Sequence, residues 1–232
     1  MDKRYLISLA LIAMFLIAET SVVCSDDVSD KKRVVYVIFD QLIYSTVDIP
    51  REIMEKEGIE VTFAAASKEP VEGMASPTGI FLGKPWGMRY KRYTPQLTFN
   101  EINPEDYDAI VIAGGPGPKV IKLSEDEELL DLIKEFDEEG KVVAAYALSP
   151  LILLKAGVLD GKRYTICKGC LPMYPEAEEA LKLEKGAILD EDNLPKMIVS
   201  GNAITGWGPP ALGDFSYAIV REVKRESIKV EV

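Results

Sequence analysis

The sequence predicts an α/β domain with a doubly wound, mostly parallel sheet and helices on both faces. Two observations predict this fold class. Short apolar segments typical of buried strands, such as Arg33–Phe39 and Tyr107–Ala113, alternate with segments of helical periodicity. The segment 141–157 then indicates a buried strand that turns sharply into a helix, since Pro150 suits the first turn of a helix. Alternation of this kind builds a parallel sheet covered by helices on both sides.

Composition and charge exclude several classes of function. The chain has 232 residues, which suits one substantial domain. Its net charge of −11 argues against nucleic acid and anionic membrane surfaces as general partners. It contains no histidine, which excludes a histidine base, a Ser–His or Cys–His pair within the chain, and a histidine metal ligand. We predict no nucleic-acid partner, and neither a metal site nor a cofactor.

Residues 1–24 predict a signal peptide or an N-terminal membrane anchor. Two basic residues precede the apolar run Leu6–Ala18, which is shorter than the roughly 20 residues of a spanning helix. Residues 25–32 form a polar linker, and residues 33–232 form the folded domain. We expect an extracytoplasmic protein, secreted or held at the membrane by this segment. Cleavage stays open, as does lipidation of Cys24, although an uncleaved anchor or an ordinary signal tail is the simpler interpretation.

A strand–helix–strand unit opens the domain. After the strand Arg33–Phe39, a helix is predicted near Asp48–Glu57, with Asp48 as its N-cap and Pro50 in its first turn. The second strand is Ile59–Ala65. The inner face of the helix is predicted to carry Ile49, Ile53 and Met54.

Residues 70–95 interrupt this alternation with repeated glycines and prolines, which predict an excursion of short strands or a hairpin. Its tip is basic and aromatic. We favour a solvated loop packed by its own aromatic side chains over a pocket lid or a subunit contact. The tip residues are Trp86, Arg89, Tyr90, Lys91, Arg92 and Tyr93.

Glycines follow the next predicted strand. Tyr107–Ala113 leads directly into Gly114-Gly-Pro-Gly117, where the lack of side chains lets backbone N–H groups face a ligand or an oxyanion. Ser124–Glu127 predicts the capping box of a helix. The inner face of that helix is predicted to carry Leu129, Ile133 and Phe136.

The turn Tyr146-Ala147-Leu148-Ser149 has the shape of a nucleophile elbow. In open α/β folds such a strand-to-helix turn holds a reactive group at the carboxyl edge of the sheet, but Ala147 offers no nucleophile. After the elbow, the sequence predicts a short strand at Gly161–Cys167, a helix at Glu176–Leu183 and a hairpin at Lys196–Thr205. The hairpin turns at Gly201 and Asn202, and a closing helix has Phe215, Ala218, Ile219 and Val223 turned inward.

In their order and spacing, these segments resemble the ThiJ/PfpI superfamily, which has a flavodoxin-like, class I glutamine amidotransferase-like fold. The similarity covers about residues 33–225. The family includes PfpI-type intracellular proteases and the Parkinson-associated deglycase, and Gly201–Pro209 resembles its closing Gly-Asn-x-Ile-Thr-x-x-Gly-Pro motif. The other segments that carry the resemblance are Val34–Phe39, Pro50, Glu57–Ile59, Tyr107–Gly115, Lys141–Pro150 and Ala156–Gly161.

The resemblance implies a chemistry whose residues are substituted in this chain. The family uses an elbow cysteine, often followed by a histidine, and a glutamate after the first strand that holds the thiol. Ala147 stands at the cysteine, Leu148 at the histidine and Thr46 at the glutamate. The Gly115 region, which supplies backbone N–H groups in the family, is kept. Because a methyl group cannot attack a carbonyl, the family's glyoxalase, deglycase and peptidase activities are not carried over.

Cys167 and Cys170 leave an alternative open. The resemblance places Cys167 just after the strand next to the elbow, on the rim of the pocket. A Cys-x-x-Cys pair there can be a relocated nucleophile, a redox pair, half of a metal site or a structural disulfide. Export favours a disulfide, structural or redox-active, and we favour two cysteines without chemistry.

The predicted cleft lies at the carboxyl ends of the strands. Tyr146 is expected to pack below the turn, and Ser149 to cap the following helix rather than act as a nucleophile. Asp40 is expected to be a solvated carboxylate, although desolvation would make it a base. The pocket is predicted to be lined by Asp40, Gly114, Gly115, Tyr146 and Ser149, with Ala147, Leu148 and Cys167 around it.

These residues support three hypotheses of function. The leading one is an exported pseudoenzyme that retains the pocket for a small molecule or a protein. The alternative is a thiol-dependent hydrolase or redox protein that uses Cys167 and Cys170 on the pocket rim. The third is an oligomeric or structural module. We expect a homo-oligomer because relatives form dimers and larger rings.

Overall fold

The computed structural model describes residues 31–75, 89–183, 187–190, 194 and 196–225. The predicted signal or anchor segment, most of the linker and Trp86 lie outside these residues. No helix in the described ranges is both long and apolar enough to cross a bilayer. The helices are α1 (Ser45–Lys56), α2 (Gly117–Leu123), α3 (Glu127–Glu138), α4 (Pro150–Lys155), α5 (Pro175–Leu183) and α6 (Leu212–Val223). The strands are β1 (Arg33–Val37), β2 (Glu60–Ala65), β3 (Val71–Met74), β4 (Arg89–Tyr93), β5 (Leu97–Thr98), β6 (Ala109–Ile112), β7 (Val142–Tyr146), β8 (Arg163–Tyr164), β9 (Ile188–Leu189), β10 (Lys196–Ser200) and β11 (Ala203–Trp207).

The main sheet joins β10, β11, β7, β6, β1, β2 and β5 in that order. Neighbouring strands are parallel except for β10, which pairs antiparallel with β11. The apolar runs predicted as central strands are fully buried in β1 and β6. Helix α1 packs against α6, while α2, α3 and α5 pack around α4. The predicted doubly wound α/β fold is confirmed, and its topological switch point lies between β1 and β6.

Helix α1 begins at Ser45, so the predicted start at Asp48 was wrong. Pro50 lies inside the helix rather than in its first turn. A proline there has no N–H to donate to the carbonyl four residues earlier, which is that of Thr46. The hydroxyl of the buried Tyr36 donates to that carbonyl instead. A distant strand residue therefore supplies the hydrogen bond that the helix lacks.

The side chain of Asp48 binds the excursion at residues 70–95 rather than capping α1. Its carboxylate accepts hydrogen bonds from the Lys91 ammonium at 2.8 Å and from the Tyr93 hydroxyl at 3.0 Å. These two residues lie on β4, which pairs antiparallel with β3. The predicted hairpin is thus confirmed over the described residues. Ile49 was predicted on the inner face of α1 but is 39 % exposed, because Val47, Pro50 and Met54 form the buried face of the helix.

The capping box predicted at Ser124–Glu127 was also wrong. Residues 117–123 form the unpredicted short helix α2, and the Ser124 hydroxyl donates to the Ile121 carbonyl at 2.7 Å. Asp126 caps α3 instead, accepting the backbone N–H of Leu129 at 3.1 Å. The predicted inner faces are confirmed, since Leu129, Ile133 and Phe136 of α3 and Phe215, Ala218, Ile219 and Val223 of α6 are buried.

The strand predicted at Gly161–Cys167 contracts to β8, which pairs with β9 outside the main sheet. The backbone just after β8 contacts the main sheet, where the Thr165 N–H donates to the Thr205 hydroxyl of β11 at 2.9 Å. The predicted hairpin at Lys196–Thr205 is confirmed as β10 and β11, with Gly201 at φ 62° in its turn.

The side chain of Asn202 joins three elements at the amino end of β11. It donates to the Asp137 carboxylate at 2.9 Å and to the Lys141 carbonyl at 2.8 Å. It also accepts from the Lys162 ammonium at 2.8 Å, and Lys162 pairs with Asp137 at 2.6 Å. Asn202 therefore has a structural role at the edge of the sheet opposite the elbow.

Candidate functional site

The predicted elbow is present at the carboxyl end of β7. Ala147 has φ 61°, in the left-handed region that side chains other than glycine rarely adopt. Its N–H donates to the Gly206 carbonyl at 2.7 Å, and its carbonyl accepts the Cys167 N–H at 2.9 Å. Such a conformation costs an alanine about 1–2 kcal/mol. Backbone contacts to two neighbouring segments hold the turn in this shape although it carries only a methyl group.

Thr46 and Gly114 converge on Ala147. A Cβ built on Gly114 would lie 3.1 Å from the Ala147 Cβ and 3.1 Å from the Thr46 Cγ2. The Thr46 Oγ1 accepts the Gly114 N–H at 2.9 Å and donates to the Ile43 carbonyl at 2.7 Å. Thr46 is only 3 % exposed. The structure therefore brings these predicted positions together, but it bonds the Gly114 N–H to a threonine hydroxyl rather than directing it at a ligand.

The residues flanking Ala147 are buried in the fold. Leu148 belongs to the hydrophobic core. The Ser149 hydroxyl is fully buried and donates to the Ala113 carbonyl at 2.6 Å. Ser149 stands at the N-cap position of α4, but the prediction that its hydroxyl caps the helix was wrong, because this side chain makes no capping hydrogen bond. This hydroxyl instead ties the elbow to the end of β6.

Tyr146 packs below the turn, as predicted. Its ring contacts Phe215 with centroids 5.0 Å apart, and its hydroxyl donates to the Gly208 carbonyl. Burial raises the pKa of this phenol, so it stays neutral. Gly206 must lack a side chain, since a Cβ there would lie 2.9 Å from the Tyr146 ring.

Two aromatic side chains lie against the glycine loop. A Cβ on Gly115 would approach the Phe39 ring to 2.4 Å, and a Cβ on Gly117 would approach the Tyr174 ring to 2.4 Å. Sequence reasoning explained these glycines by ligand access and missed both aromatic residues. A run of glycines after a buried strand is a signal for close packing as well as for ligand binding. Here the protein's own rings take part of that space.

Cys167 and Cys170 form a disulfide, with their Cα atoms 5.3 Å apart. In this form neither sulfur is a thiolate able to attack a substrate or bind a metal, and a structural and a redox-active disulfide both fit the pair. Cys167 directly precedes a 3₁₀ helix, Lys168–Met173, which contains Cys170. The residue after this helix is Tyr174, whose ring packs against the glycine loop. Through the Cys167 N–H, the same segment is bonded to the elbow carbonyl.

Asp40 binds the backbone of β3 and a lysine of α2. Its carboxylate accepts the Glu72 N–H at 3.3 Å and pairs with Lys119 at 3.4 Å, and its side chain is nearly half exposed. It lines a cavity of about 260 Å³, and a second cavity of about 450 Å³ lies between β10 and α6. Neither of these two cavities is lined by Ala147, Leu148 or the Gly114–Gly115 loop. Of the predicted pocket residues, only Asp40 lines one of these two cavities.

Comparison with known proteins agrees with this fold and with this arrangement of segments. The model of the DJ-1/PfpI family matches residues 32–222. An uncharacterised protein of Methanocaldococcus jannaschii is 32 % identical over 178 residues, which are 77 % of this chain and 75 % of that protein. The deglycase PfpI of Pyrococcus furiosus is 34 % identical over 125 residues, 54 % of this chain and 63 % of that protein. The crystal structure of a ThiJ/PfpI domain protein from Brachyspira murdochii superposes with a TM-score of 0.67 and 22 % identity, covering 84 % of this chain and 98 % of that one. The chain therefore belongs to the DJ-1/PfpI family.

Proposed function

We propose that this protein is an exported, non-catalytic member of its family that binds a ligand or a partner without converting it. The observation that carries the proposal is the surroundings of Ala147. The elbow keeps its left-handed turn, while the side chain at its apex is a methyl group packed beside Thr46 and Gly114. An elbow without a nucleophile keeps a structural role and has no covalent chemistry to offer.

The neighbouring groups do not replace the missing chemistry. Oxyanion stabilisation requires donors aimed at the developing charge, and one backbone donor of the glycine loop, the Gly114 N–H, is already bonded to Thr46. Leu148 is buried and cannot move a proton. The Cys167–Cys170 disulfide removes the free thiol that a thiol-dependent hydrolase would need, so the hydrolase alternative requires a reduced form of the protein.

Export belongs to the same proposal. The apolar run Leu6–Ala18 and the polar residues after it support secretion or anchoring by the N-terminal segment. The disulfide agrees with an oxidising compartment, where such bonds persist. Assembly into a homo-oligomer is a further part of this proposal. Sedimentation of the full chain tests it, and fractionation tests whether the N-terminal segment holds the protein at the membrane.

A turnover assay tests the proposed lack of catalysis. The Pyrococcus furiosus relative is named a deglycase, so methylglyoxal and a glycated peptide are the substrates to offer. We expect the full-length protein, with its disulfide intact, to consume them no faster than buffer. Consumption above buffer would overturn the proposal. If Cys167→Ser abolished that consumption, the alternative hypothesis of a thiol-dependent enzyme would be correct.

A further inference from the structure

The cavity beside Asp40 has the position of a ligand site. It lies at the carboxyl ends of β1 and β2, where residues 38–40 and 65–67 leave the sheet, and α2 closes one side. Open α/β sheets bind their ligands in crevices at this edge, near the switch point between β1 and β6. We call it the lysine cavity, defined by Asp40, Ser67, Val71, Lys119, Lys122 and Leu123.

Two lysines and two aspartates line the lysine cavity, and one of the lysines has no ion pair within the described residues. Lys119 and Lys122 lie three residues apart on α2 and so share one face of the helix. Lys119 is held at 3.4 Å by Asp40, whereas Lys122 is exposed and has no ion pair within the described residues. The other acid of the cavity, Asp126, is engaged in capping α3. The net charge of −11 disfavours anions in general, so an anionic ligand would depend on this unpaired ammonium group as its local partner.

The floor of the lysine cavity is apolar. Phe39, Val71 and Leu123 line it and are each at least 90 % buried. Phe39 also contributes its ring to the contact with Gly115, so it separates the cavity from the elbow loop. A pocket that combines an apolar floor with a few polar groups fixes the orientation of an amphiphilic small molecule.

The volume limits the size of that molecule. About 260 Å³ lies just below the range of roughly 300–1,000 Å³ typical of drug-sized ligands. At about 30 Å³ for each liquid water, it corresponds to about nine heavy atoms. A nucleotide or a flavin is too large for this space.

We infer that the lysine cavity binds a small aliphatic carboxylic acid. The carboxylate faces Lys122 and Lys119, and a chain of about five carbons, within the size limit set above, lies on the apolar floor. The inference rests on the proposed function, because it makes the bound molecule a ligand rather than a substrate. It places that ligand beside the elbow and not over it.

Titration of the ¹⁵N-labelled full-length protein with hexanoate, followed by amide shifts, tests the inference. We expect saturable shifts in residues 38–40, 65–67 and 117–123, tighter binding of hexanoate than of acetate, and weaker binding at high salt. The variant Lys119→Gln/Lys122→Gln is expected to bind about tenfold more weakly, because a partly exposed charged contact contributes modestly. Lys56→Gln/Lys134→Gln is the matched control and removes the same charge from helix surfaces elsewhere.

Three results would overturn the inference. If both double lysine variants lost the same amount of hexanoate affinity, only the net charge of the protein would matter. If phosphate bound as tightly as hexanoate, the apolar floor would contribute nothing to binding. Hexanoate shifts centred on Gly114 and Ala147 would place the ligand at the elbow; the site would then be wrong while the proposed function stands. Loss of the proposed function has a separate readout, the consumption of methylglyoxal or glycated peptide.

Discussion

Replacing Asn202 with alanine removes the polar contacts that join the β10–β11 turn to the rest of the sheet. The amide makes three hydrogen bonds, to the Asp137 carboxylate, the Lys141 carbonyl and the Lys162 ammonium. Each such bond contributes about 1 kcal/mol net, so Asn202→Ala is expected to lower the free energy of unfolding by about 2–3 kcal/mol. The Lys162–Asp137 pair remains in the variant and limits the loss.

Urea unfolding followed by circular dichroism measures this change. The transition midpoint should fall while its slope stays the same, because the surface exposed on unfolding is unchanged. Asn100→Ala is the matched control, since Asn100 is exposed and its amide accepts only from Thr98; its cost should stay below about 0.5 kcal/mol. A loss of that small size in Asn202→Ala would refute the role assigned to this side chain. Hexanoate binding should be unchanged in the variant, because Asn202 lies at the opposite edge of the sheet.

Three further predictions concern Tyr36 and the disulfide. Tyr36→Phe leaves the Thr46 carbonyl without its donor and should cost about 1–3 kcal/mol in urea unfolding; adding Pro50→Ala, which restores a backbone N–H, should recover part of it, and no recovery would contradict the account of α1. Burial raises the pKa of the Tyr36 phenol above its unfolded value of 10.0, so its contribution to stability should be complete below pH 10 and fall above it; the phenolate absorbance of Tyr36, measured as the difference from Tyr36→Phe, should appear only on unfolding. Maleimide should label Cys167 and Cys170 only after reduction, and reduction should lower stability by about 2 kcal/mol, as the chain-entropy model gives for a four-residue loop. Labelling of both without reductant would contradict the disulfide.

Local pattern was sufficient to predict the central strands and the elbow. The runs that became β1, β6 and β7 are apolar throughout, and burial on both faces of a parallel sheet requires this. The elbow followed from a buried strand that leads into Pro150 within a few residues. The resemblance then identified Ala147, Leu148 and Thr46 as the positions to compare, and the structure places Ala147 and Thr46 beside Gly114.

Long-range contacts caused the errors. The start of α1 depends on a hydroxyl from β1, which no local capping rule includes. Likewise, Asp48 was predicted to cap the helix, but its carboxylate binds Lys91 of β4, which lies 43 residues further along the chain. The aromatic rings over Gly115 and Gly117 come from two distant segments, so the sequence showed the glycines without their partners. The lysine cavity depends on α2, which is too short to give a clear helical period.

The pKa of a thiol installed at the elbow tests the central claim most directly. In Ala147→Cys, made in a Cys24→Ser background, the pH dependence of iodoacetamide alkylation reports the pKa of the one free thiol. Because Thr46 carries no charge and already binds the Gly114 N–H, we predict a pKa at or above the ordinary value of about 8.5 and no turnover of methylglyoxal. A pKa below about 7, or turnover by this variant, would show that the surroundings still activate a nucleophile, and would contradict the account.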